Sequence, residues 1–290
     1  MSMRRSSVAA LTLLALMAFA GNSLLCRAAL RDTAIDPASF TLLRLVSGAL
    51  MLALLVGVRG PAQLRAGSWT SAAALFAYAI AFSYAYIGLS AGTGALILFG
   101  AVQASMIGWA LLRGERFGVV QILGFALAVG GLVGLLLPGL SAPPLGAALL
   151  MLVAGMAWGV YSLRGRGAGN PTAITAGNFL RAAPMALAAS GFALVLAPAA
   201  VQVDVPGSLY AIASGALTSG LGYAIWYRVL PQLRASNAAT VQLSVPVVTA
   251  VAGVLLLNEP LGLRLVLASI AVLGGVAFVV LWPRRATRNG

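Results

Sequence analysis

The chain has 290 residues, of which 61% are hydrophobic and only 8% charged, and its mean hydropathy is +1.01. A soluble domain carries roughly a quarter charged residues, so this balance excludes a water-facing globular surface. The net charge of +13 is carried by arginine alone, with no lysine and no histidine. A spanning helix needs roughly 20 mostly apolar residues, and ten such stretches follow one another along the chain. They cover residues 8–28, 37–57, 69–88, 92–112, 118–137, 145–163, 172–195, 208–228, 236–257 and 262–282. The predicted architecture is therefore an all-α integral membrane protein with short connections and no soluble module.

In chain order, the first stretch has the outline of a secretory signal, with Arg4-Arg5, an apolar run and Ala18-Phe19-Ala20 as a cleavage-like site. Two features favour a retained span: apolar sequence continues to Ala29, and the segment recurs as Met156 to Leu163. The second and seventh stretches open on Asp36-Pro37 and Asn170-Pro171, each a capping side chain before a proline at the first helical position. Gly114-Glu115 and Asn258-Glu259-Pro260 are expected to open the fifth and tenth, either as helix-start acids favoured by the helix dipole or as proton carriers. Pro184 and Pro246 are expected to bend the seventh and ninth. Gly92, Gly94, Gly100 and Gly108 in the fourth and Gly215, Gly220 and Gly222 in the eighth allow close backbone approach, for packing or as hinges. Cys26 is the single cysteine, so no intrachain disulfide and no metal cluster are expected.

A five-span segment occurs twice. A shift of 144 positions places Leu111-Leu112 on Leu255-Leu256, Glu115 on Glu259, Gly118 on Gly262 and Gly130-Gly131 on Gly274-Gly275. Upstream, a shift of 139 places Met17-Ala18-Phe19 on Met156-Ala157-Trp158 and Arg27 on Arg166. The copies divide the chain into residues 1–138 and 139–290, joined by the loop Pro138 to Pro144. An odd number of spans per copy requires the second to enter the membrane inverted, which is the architecture of secondary transporters with a site near the midplane. With the N-terminus inside, thirteen arginines fall on the inner side, only Arg27, Arg31 and Arg264 on the outer, and Arg44 and Arg181 within spans. Basic residues of short loops stay cytoplasmic, so both termini are predicted to be cytoplasmic. The basic excess is a topology signal, and no nucleic-acid partner is expected.

Polar groups inside a bilayer usually face a bundle interior or a water-filled cavity. The candidates for binding a small-molecule substrate are Phe19 and Asn22 in the first span, their repeat partners Trp158 and Tyr161 in the sixth, Tyr78 and Phe82 in the third, Gln103 in the fourth, and Gln242 and Ser244 in the ninth. Tyr223 and Trp226 in the eighth and Asn178 in the seventh lie near equivalent faces. Rings with a few amides suit a small amphipathic solute, although Tyr and Trp also form belts at membrane interfaces. The belt reading is the favoured one for Tyr84, Tyr86 and Tyr227, which sit close to span ends. Arg44 and Arg181, a turn apart once the copies are aligned, either bind a carboxylate or satisfy headgroups and carbonyls. No acid lies mid-span and no Gly-rich loop carries a Lys, so neither hydrolysis nor direct use of ATP is expected, nor any cofactor.

Together the order of Asp36-Pro37, Phe40, Leu43-Arg44, Gly114-Glu115, Glu259-Pro260 and the paired glycines resembles the drug/metabolite transporter superfamily, in particular its EamA-type exporters. Within it the chain is similar to YddG-type amino-acid exporters, although the second copy has no Arg at the position of Arg44. The resemblance implies export of small metabolites, often amino acids, across the bacterial inner membrane. It also implies a cavity formed by spans one to four and six to nine, with five and ten peripheral. The expectation is a secondary transporter working by alternating access, a monomer or weak homodimer in the lipid bilayer. The alternatives are a multidrug or lipophilic-cation exporter and a passive metabolite channel.

Overall fold

In lipid every backbone polar group has to be satisfied internally, which leaves helices as the solution for a chain this apolar. The computed structural model describes residues 4–57, 60–115, 117–139, 142–165, 169–233, 238 and 241–281, and among them every regular element is helical. Arg59, Arg116, Arg166, Arg234 and the arginines after residue 281, used above for topology, lie outside the described residues. The long helices are α1 (Arg5–Asp32), α2 (Pro37–Gly57), α3 (Trp69–Ala85), α4 (Ala91–Leu112), α5 (Val119–Leu136), α6 (Leu145–Gly165) and α7 (Pro171–Leu196). There follow α8 (Val205–Ala213), a π-helical stretch (Ser214–Leu221) and α9 (Gly222–Val229), and finally α10 (Ser244–Leu257) and α11 (Leu263–Leu281). Among the described residues, seven helices have the length and apolar composition to cross a membrane: α1, α2, α4, α5, α6, α7 and α11. The chain is thus a multi-span membrane protein.

The capping signals act as their chemistry requires. Asp36 Oδ1 accepts from the amides of Ala38 at 2.9 Å and Ser39 at 3.0 Å, and Asn170 Oδ1 accepts from those of Thr172 and Ala173. The glutamates behave differently. Glu115 precedes α5 by four residues, and the amide of the helix's N-cap Gly118 donates to Gln121 Oε1 at 3.0 Å. Glu259 reaches across to another helix altogether: its Oε2 accepts from the amide of Ala91 at 2.7 Å, capping α4. Pro184 lies inside α7, whereas Pro246 lies in the first turn of α10, where its missing N–H has no intrahelical role.

Small residues set the closest crossings. A Cβ at Gly215 would collide with the Arg44 carbonyl and the Ser47 hydroxyl, so the π stretch lies directly against α2. π-helical turns are rare and recur at functional sites; this one carries Ser214, Thr218 and Ser219. The α5–α11 pair is equally close, with Gly124 and Gly275 each facing the other's carbonyl. Elsewhere α2 runs along α7, α6 packs on α3 and α4, and α1 packs on α8, the π stretch, α9 and α10.

Candidate functional site

Between these helices lies a cavity of about 1180 Å³. Its deep wall is aromatic. Trp158 is half-buried at the centre of a ring cluster, with ring centroids 4.8 Å from Tyr78, 5.2 Å from Tyr161 and 5.3 Å from Tyr223. The last two rings stack on it, with interplanar angles of 29° and 25°. Phe19 extends the cluster, 5.8 Å from Tyr223 and edge-on to Trp226 at 5.8 Å. Offset and edge-to-face arrangements are those that the aromatic quadrupole favours. Gln103 and Gln242 supply amides on the same lining, and the exposed Arg164 and Glu115 stand at the mouth.

A hydrogen-bond chain runs behind the rings. Ser214 Oγ donates to Asn22 Oδ1 at 2.8 Å, and Asn22 Nδ2 donates to the Tyr78 hydroxyl at 3.2 Å. Arg44 Nη2 donates to the same hydroxyl at 2.8 Å. The Arg44 guanidinium lies 5.1 Å from the Tyr78 ring centre and 4.9 Å from that of Phe82, within cation–π range. A second cluster joins α6 and α7, where Asn178 donates to Tyr161 at 3.4 Å and accepts from the amide of Ser68 at 2.9 Å.

The end opposite the mouth is closed. Arg27 Nε donates to Glu259 Oε1 at 2.9 Å, while its Nη1 donates to the carbonyls of Tyr86 at 2.9 Å and Ile87 at 3.0 Å. Because Glu259 also holds the Ala91 amide, one ion pair ties α1 and the α3–α4 turn to the segment before α11. Arg31 adds a bond to the Leu257 carbonyl at 2.7 Å, and Asp36 pairs both ways with the Gln202 backbone.

Comparison with known proteins decides what this arrangement belongs to. A family model of EamA-like transporters matches residues 145–281. The chain is 61% identical over 283 residues to an uncharacterized protein of Pseudomonas aeruginosa, covering 97% of each. It is 30% identical over 258 residues to a probable terminal-alkyne amino-acid exporter of Streptantibioticus cattleyicolor, covering 86% of this chain and 84% of that one. The chain belongs to the EamA-like transporter family. A crystal structure matched at TM-score 0.66 and 19% identity, over 96% of this chain and 98% of that one, shares its fold.

Of the residues that sequence singles out in this EamA-family chain, Phe19, Asn22, Tyr78, Gln103, Trp158, Tyr161 and Gln242 line this cavity. Phe82 and Arg44 stand behind Tyr78, at 0% and 1% exposure. Ser244 donates to the Val241 carbonyl and is not part of the lining. Arg181 is also apart: it donates to the carbonyls of Ala66 at 2.7 Å, Arg65 at 2.9 Å and Gly177 at 2.8 Å, the carbonyl-satisfying role. No α2 residue lines the cavity, because α2 spends its face on α7 and the π stretch, whereas Gln121 of α5 and Val279 of α11 reach the mouth. Tyr86 is fully buried and Tyr227 lines the cavity, so only Tyr84 of the three belt candidates is exposed. Thr218 and Ser219 were not singled out; their signal is a run of small polar residues in an otherwise apolar span.

Proposed function

We propose that this chain is an inner-membrane secondary transporter that exports amino acids, including aromatic ones, or similar small metabolites by alternating access. The observation that carries the reading is a large aromatic- and amide-lined cavity open at one end and shut at the other by the Arg27–Glu259 pair. A pore needs both ends open at once, and a carrier needs one closed. The relative named as an amino-acid exporter supports the substrate class. In this reading residues 1–138 and 139–290 are inverted repeats forming ten spans, and their packing is reciprocal. The α2–α7 and α5–α11 pairs map onto themselves, while α3 on α6 is matched by the eighth span on α1. With both termini cytoplasmic, as the arginine distribution predicts, the mouth faces the cytoplasm and the structure is the state that loads solute for export.

Within the cavity, Trp158, Tyr78 and Phe19 bury the apolar part of the solute and Asn22, Gln103 and Gln242 meet its polar ends. Purified protein in liposomes, offered a panel of amino acids and lipophilic cations, is expected to move amino acids and to do so roughly tenfold more slowly on Trp158→Ala with the fold retained. Transport of cations alone would overturn the substrate class, and unchanged amino-acid transport by the variant would overturn the site.

A further inference from the structure

Arg44 lies two turns into α2, about 10 Å from its start, and is 1% exposed. A cation at such depth is costly unless paired, yet among the described residues the hydrogen-bond partner of this guanidinium is the Tyr78 hydroxyl alone, and its Nε and Nη1 have none. The five acidic residues lie elsewhere: Asp36 and Asp204 cap helices, Asp32 holds Arg31, Glu259 holds Arg27, and Glu115 stands at the cavity mouth. The donors all run one way. The phenol oxygen of Tyr78 accepts from Arg44 and from Asn22, and Asn22 in turn accepts from Ser214. With both lone pairs so engaged, the hydroxyl proton of Tyr78 is left to be given to a third group. Tyr78 lines the cavity, as does Ser219, whose buried hydroxyl is likewise without a partner. The deep wall is therefore rich in donors and positively charged, with no carboxylate beside Arg44 to balance it.

We propose that this wall is a carboxylate site: a solute carboxylate accepts the Tyr78 hydroxyl proton as a hydrogen bond, and Arg44 supplies the compensating charge from behind. The inference rests on the transport reading above and deepens it, by making a free carboxylate the feature that selects the solute. Arg44 acts through Tyr78 as a positioning and charge-setting residue. The side chain of the solute then lies toward Trp158 and Tyr223. An uncharged amide in place of the carboxylate leaves the buried cation unbalanced and is rejected.

The test uses the full-length protein in liposomes with amino acids and their C-terminal amides. The wild type is expected to favour acid over amide by about 10- to 100-fold, the range of one charge-assisted hydrogen bond. Tyr78→Phe, which keeps the ring, lowers transport of the acid more than that of the amide, so the acid-to-amide ratio falls. Arg44→Met abolishes the preference while its melting temperature is equal to or above that of the wild type, because an uncompensated buried charge has been removed. Amides carried as fast as acids by the wild type would overturn the carboxylate site and leave the transport reading intact. An Arg44→Met protein that melts lower and keeps the preference would make Arg44 merely structural. A wild type inert to the whole panel removes the transport reading and this one with it.

Discussion

Asn22 shows how much a single polar side chain holds in this apolar interior. It accepts from Ser214 and donates to Tyr78, joining α1 to α3 and to the start of the π stretch. Asn22→Leu leaves the Ser214 hydroxyl without its acceptor, and a buried unsatisfied group costs about 1–3 kcal/mol. The variant is expected to fold with a lower melting temperature in detergent; an unchanged value would show that the chain of hydrogen bonds is not a structural tie. Trp158 is the aromatic counterpart, with three rings within 5.3 Å. Ring pairs contribute about 0.5–1.5 kcal/mol each beyond area. A solute that stacks on this indole thus loses roughly tenfold in transport rate on Trp158→Ala, read as initial uptake, with Trp158→Phe intermediate. That these residues face the interior was legible in the sequence, because polar groups in a span usually turn to a bundle interior or a cavity. Which of the two roles each of Arg44 and Arg181 takes was not legible, since helix rotation decides it and both faces of α2 and α7 are apolar.

Elements meet here through small residues, and the paired glycines separate packing from composition. In Gly130-Gly131 and Gly274-Gly275 the first glycine has open space at its Cβ position. The second is in contact: a Cβ on Gly131 would lie 2.8 Å from that of Ala271, and one on Gly275 would meet the Gly124 carbonyl and the Ala128 amide. Gly275→Ala is expected to lower stability by about 1–3 kcal/mol through overpacking. Gly274→Ala, one residue away, leaves it unchanged or raises it by up to about 1 kcal/mol through helix propensity. Thermal melts of the two variants check the pair, and equal effects would contradict the crossing. The sequence marked these glycines as a recurring motif, and the recurrence has a physical cause in the α5–α11 contact. The π stretch was less visible. Its Ser, Thr and Gly residues read as a packing face, and only tertiary contact with α2 shows that Ser214–Leu221 departs from α-helical winding.

At the scale of the molecule, the two ends of the cavity differ, and the difference is testable with the native cysteine. Cys26 is the only cysteine in the chain, is fully buried, and neighbours Arg27 at the closed end. Glu259→Gln removes one charge of the pair while keeping an acceptor for the Ala91 amide. Loss of a charge-assisted hydrogen bond of about 1.5–3 kcal/mol shifts the closed–open equilibrium by roughly 10- to 100-fold. Maleimide labelling of Cys26 is expected to accelerate accordingly, and an unchanged rate would show that the pair does not hold this end shut. The all-helical, multi-span character and the family were readable from apolar runs and repeated motifs. The role of Glu259 was not, because its partner Arg27 is 232 residues away and its own helix offered a nearer explanation.

Counterflow tests the central claim most directly. Liposomes containing the purified chain are loaded with unlabelled amino acid and diluted into a trace of the labelled form. A carrier that exposes its cavity to one side at a time gives a transient accumulation of label above its equilibrium level, saturating with concentration. Flux that rises linearly with concentration, without overshoot, would contradict the account and leave a passive pore.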